Sequence, residues 1–60
     1  MMRNKLDYLQ DRYRTLSAVL AEIHEDLDED PNLYWLYGRR KRVLKQLNDI
    51  VNEMNELKAG

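Results

Sequence analysis

From Met2 to Leu27 the long apolar side chains fall at Met2, Leu6, Leu9, Tyr13, Leu16, Leu20, Ile23 and Leu27, in steps of 4, 3, 4, 3, 4, 3 and 4 without a miss. That spacing keeps every one of them on a single stripe of an α-helix, the heptad seam along which a second helix packs. No Gly or Pro interrupts it. The pattern predicts a first helix from about residue 3 to about residue 28.

The stretch Asp28-Glu29-Asp30-Pro31 ends that pattern. The residue before a proline avoids helical backbone angles, so the turn is expected at about 28–31. Asp30 is the expected N-cap of a second helix, with Pro31 at its first position, where the N–H it lacks has no use. The second helix is then expected from about 31 to about 57. A connector this short makes the two helices antiparallel neighbours.

Helix 2 carries Leu33, Leu36, Tyr37, Val43, Leu44, Leu47, Ile50, Val51, Met54 and Leu57. Folding the chain back pairs Leu27 with Leu33, Ile23 with Tyr37, Leu20 with Arg40 and Leu16 with Leu44. The same register pairs Tyr13 with Leu47, Leu9 with Val51 and Leu6 with Met54. One apolar row, Leu36, Val43, Ile50 and Leu57, is left beside this seam, where helix 1 offers Gln10, Ser17 and His24 on one flank and Lys5, Arg12, Val19 and Asp26 on the other. An uncovered apolar row usually marks an interface, so these four residues are the expected oligomer contact.

Size points the same way. Sixty residues make one domain, residues 1–60, in the range where a lone core is marginal and disulfides, metals or oligomerisation are the usual remedies. With no Cys, disulfides and thiolate metal sites are excluded, and one His makes a transition-metal site within one chain improbable. No cofactor is expected. The fold class expected is therefore all-α: an antiparallel two-helix hairpin dimerising into a four-helix bundle.

No apolar run approaches the roughly 18 residues of a membrane span, and the N-terminal residues do not read as a secretory signal. The expected setting is cytoplasmic, without membrane contact. Residues 1–30 hold four Lys/Arg against eight Asp/Glu, and residues 31–60 hold six against three. The two halves, net −4 and +3, complement each other, which favours self-association as readily as a charged external partner.

Three groups of residues carry the functional expectations. Arg39, Lys41, Arg42 and Lys45 are candidate nucleic-acid contacts, since a basic helix face is the electrostatic footprint of a phosphate binder. Consecutive bases fan around a helix, however, and acidic residues of helix 1 are available to neutralise them. Tyr34 and Trp35 lie off the seam near the hairpin tip and are candidate contacts for a partner protein, aromatic anchors being favoured at interfaces. Arg40 occupies a core layer, where its stem is expected to pack while the guanidinium reaches out to Asp26 or Glu22.

His24 and Asp28 share a face at metal-ligand spacing, but further ligands are missing and the run Glu25–Asp30 lacks the glycine and closing glutamate of a calcium loop. Ser17, the only serine, has no His at an activating spacing, and no glycine-rich phosphate loop is present. The chain reads as a non-catalytic, self-associating interaction module that binds another protein as an adaptor, inhibitor or regulator. The alternative is a nucleic-acid-binding regulator acting through the basic cluster.

Overall fold

The computed structural model describes residues 4–59. Helix α1 spans Lys5–Glu29 and helix α2 spans Tyr34–Ala59, and the two pack along each other as a hairpin. Met2, the first residue of the apolar spacing, lies outside the described residues.

Each end of α1 is set by a short polar residue, by its side chain at the first end and by its backbone at the second. Asn4 is extended, and its Oδ1 accepts a hydrogen bond from the Asp7 N–H at 2.8 Å, which satisfies one of the free donors of the first turn. The Asp7 carboxylate adds a favourable charge at the positive end of the helix dipole. At the far end, the Asp30 N–H donates to the Asp26 carbonyl at 2.9 Å, and Asp30 is the C-cap.

Asp30 therefore closes α1 and does not cap α2, and Pro31 lies in the connector. The Asp30 carboxylate accepts from the Asn32 N–H at 3.0 Å, and the Leu33 N–H donates to the Asp30 carbonyl at 3.2 Å. This is a β-turn over residues 30–33, with Asp at the first position and Pro at the second, where their side-chain acceptor and fixed φ are most useful. The proline that suits a first helical position suits this turn equally well, and the Asp30 side chain tips the choice by holding Asn32. As a result α2 starts at Tyr34, three residues later than the spacing predicted, with a tight Leu36 N–H to Leu33 carbonyl bond of 3.0 Å at its entrance.

Most of the face of α1 is the one its spacing dictates, with Leu9, Ile23 and Leu27 buried and Leu6, Leu16 and Leu20 half-buried, whereas Tyr13, expected in the seam opposite Leu47, is 41% exposed. The face of α2 is a correction. Leu36, Val43 and Ile50, expected as an outer row, are 8%, 5% and 7% exposed and lie in the hairpin interior with Leu47. Tyr37 and Leu44, expected in the seam, are exposed, and Val51 is half-buried. Leu57, the fourth member of the expected outer row, is the one that stays exposed.

The reason is visible in the sequence of α2 once the packing is known. Leu36, Arg40, Val43, Leu47, Ile50 and Met54 step 4, 3, 4, 3, 4, and Leu33, Tyr37, Arg40, Leu44, Leu47, Val51 and Met54 step 4, 3, 4, 3, 4, 3. Two complete seams share the Arg40–Leu47–Met54 row. At about 100° per residue, they differ by a rotation of only about 50° around the helix axis. The core cluster of Ile23, Leu27, Leu36, Val43 and Leu47 has Val19 packed against it, together with Leu16, Leu20 and Leu33. Val19 extends the apolar face of α1 on one flank, whereas Gln10, Ser17 and His24 make the other flank polar. Burying the row of α2 that reaches Val19 removes more apolar surface from water than burying the row that meets the polar flank.

Candidate interaction surface

With its first seam used inside the hairpin, α2 shows its second to solvent. Tyr37, Leu44 and Val51 recur every seven residues, so they form a row along the helix. Leu44 is 47% exposed and Tyr37 39%, while Val51 is partly covered. In an antiparallel hairpin this row lies on the same broad side as the Tyr13 side of α1, and Tyr13 is itself exposed. There an open groove of about 570 Å³ is lined by Gln10, Tyr13, Arg14, Ser17 and Met54. On the opposite side a smaller groove of about 310 Å³ is lined by Tyr8, Asp11, Arg12, Thr15 and Leu16.

At the tip the two candidate partner residues are the most exposed large hydrophobic side chains among the described residues. Tyr34 is 73% exposed and Trp35 69%. The Tyr34 hydroxyl reaches only its neighbour Asn32, donating to Oδ1 at 3.4 Å. Tyr37, by contrast, is anchored: its hydroxyl donates to the Pro31 carbonyl at 3.1 Å, and the Arg40 guanidinium lies over its ring. Arg40 thus keeps its stem in the seam, half-buried, but its charge sits on an aromatic face and not on Asp26 or Glu22.

The basic residues divide into two stripes. Trp35, Arg39 and Arg42 stand at i, i+4 and i+7, and Tyr34, Lys41 and Lys45 at i, i+7 and i+11, so each stripe runs from an aromatic at the tip toward the middle of α2. Arg39, Lys41, Arg42 and Lys45 are all exposed. His24 and Asp28 are exposed, and no group of three or more metal-ligating side chains occurs among the described residues. No helix among the described residues is long and apolar enough to cross a membrane.

The spacing argument placed the outer row one residue out of phase, at Leu36, Val43 and Ile50 where the structure has Tyr37, Leu44 and Val51. The missed signal was Val19, an apolar residue on a flank otherwise polar. Comparison with protein-family models, curated proteins and solved structures finds no match, so the surfaces above stand on their own chemistry.

Proposed function

We infer that this chain is a non-catalytic, self-associating helical-hairpin interaction module that engages another protein through its tip. The observation that carries the reading is the exposure of Tyr34 and Trp35 side by side at the first turn of α2. Large aromatic side chains held on a rigid helix lose little conformational freedom on binding, and they dominate the energetics of many interfaces. An adaptor, inhibitor or regulator fits this description. The testing experiment replaces Trp35 with a photo-activatable aromatic and compares the cross-linked partners with those captured by wild type and by Trp35→Ala. Cross-links at position 35 to the same protein that Trp35→Ala fails to retain support the tip, and an unchanged partner set for Trp35→Ala removes it.

A second reading is favoured by one specific observation, the exposure of Arg39, Lys41, Arg42 and Lys45 in two stripes that begin at Trp35 and Tyr34. Exposed bases in line with Trp35 and Tyr34 suit phosphate contact combined with base stacking, as in a nucleic-acid-binding regulator. Titration against duplex DNA and structured RNA at two salt concentrations discriminates the readings. Binding that weakens steeply with salt and disappears when the four bases become Glu supports the regulator, and no binding at low salt excludes it.

A further inference from the structure

We propose that Gly38 floors a notch on the outward face of α2 that takes single-stranded nucleic acid. An unpaired nucleobase stacks on Trp35 or Tyr34 while the adjoining phosphates meet Lys41 and Arg42. The proposal rests on the nucleic-acid reading above and gives it a site and a strand form. Glycine inside a helix destabilises it relative to alanine, and nothing within the hairpin asks for one at position 38. No glycine among the described residues has a positive φ, and a Cβ built on Gly38 meets nothing within 4 Å. What Gly38 does is bare the backbone at the exposed surface.

Its neighbours on the helix surface, three and four residues away, are Tyr34, Trp35, Lys41 and Arg42. Two are the exposed aromatics of the tip and two are exposed cations. Tyr34, Gly38, Lys41 and Lys45 each stand two residues from buried Leu36, Val43 or Leu47, about 200° round the helix, so their line faces away from α1. Tyr34 and Lys41 are about 10 Å apart along the axis, with the bare Gly38 turn between them. An aromatic face at one end and cations at the other is how single strands are held, base on ring and phosphate on charge. A duplex keeps its bases stacked inside and leaves these rings unused.

Charge complementarity selects a polyanion. From Tyr34 to Asn48, α2 holds Arg39, Arg40, Lys41, Arg42 and Lys45 and no acid. Glu25 and Glu29 of α1 stand two residues from buried Ile23 or Leu27, so they point away from α2. Both helices, each about 10 Å thick, lie between them and the notch, against a Debye length of about 8 Å. Asp26 and Asp28 flank the seam beside Leu27, a helix away. Protein interfaces are depleted in lysine and centre on desolvated apolar side chains, whereas the centre here is bare backbone rimmed by charge.

Trp35 is the only tryptophan, so its fluorescence reports stacking. At low salt, oligouridylate and oligothymidylate are expected to quench it and to dissociate as salt rises, while a duplex of equal length leaves it unquenched. Gly38→Leu fills the notch without a clash. It is expected to keep or raise Tm while weakening oligouridylate binding at least about 10-fold, the loss of one stacking contact. Wild-type affinity in Gly38→Leu, with binding still lost when the four basic residues become Glu, overturns the notch and leaves the nucleic-acid reading standing. No binding of any strand at low salt removes both. Equal quenching by the duplex overturns the strand form, and equal quenching by poly-glutamate overturns the occupant in favour of an acidic protein segment.

Discussion

The Arg40 guanidinium lies 5.2 Å from the centroid of the Tyr37 ring, which ties a charged residue of the seam to the first residue of the outward row. The contact lets a cation occupy a packing layer without a carboxylate partner. A cation–π contact at a partly exposed site contributes about 0.5–1 kcal/mol, less than the roughly 1.5–3 kcal/mol of burying a leucine in the same layer. Arg40→Leu is therefore expected to stabilise the hairpin by about 1 kcal/mol, raising Tm by roughly 4–8 °C in a chain this small. A lower Tm in a thermal melt would show that the arginine is a net stabiliser.

The burial of Val43 and Ile50 makes a sharp prediction about charge. Lysine at both positions forfeits roughly 1.5–3 kcal/mol of burial at each, against a total stability of about 3–5 kcal/mol for a domain of this size. Val43→Lys/Ile50→Lys should lose most of its helical circular dichroism. Were these two residues an outer interface, the double variant would keep its helicity and lose only its partner.

Gly38 lies in the second turn of α2, and a Cβ built there meets nothing within 4 Å. Alanine restricts the unfolded chain and adds no clash, so Gly38→Ala should stabilise by about 0.5–1 kcal/mol. The urea midpoint should rise with an unchanged slope. A fall in the midpoint would mean that the position has a neighbour not present in the isolated hairpin.

The polar ends of α1 should be separable by mutation. Asn4→Ala removes the Oδ1 acceptor of the Asp7 N–H and should cost about 1 kcal/mol, while Asn4→Asp should restore it. Asp30→Ala removes the Asn32 contact in an exposed turn and should cost about 0.5–1 kcal/mol. Chemical denaturation of the three variants checks the order. Equal loss for Asn4→Ala and Asn4→Asp would exclude the capping role.

Much of the fold was legible in single residues. The unbroken steps from Leu6 to Leu27 left α1 only one face to bury, and Leu9, Ile23 and Leu27 are buried on it. Asp30-Pro31 marked the break, yet not its geometry, because a helix start and a β-turn want the same two residues in the same order. Tyr34 and Trp35 were recognisable as off the seam because either rotation of α2 leaves them outside. The basic cluster was legible as composition, and its exposure was not, since which face of α2 meets water is set only when both helices are in place.

What the sequence alone determined is that two amphipathic helices joined by a short turn form a hairpin, because each helix has an apolar stripe that water excludes and a tight link that turns the chain back. Which stripe of α2 turns inward was decided only by the tertiary structure. Helix 2 carries two equivalent heptad seams about 50° apart, sharing Arg40, Leu47 and Met54, and no local rule ranks them. The choice fell to a non-local contact, the apolar flank that Val19 adds to α1 and against which the core cluster containing Leu36 and Val43 packs. With that contact made, Leu36 and Val43 lie inside and Tyr37 and Leu44 face out.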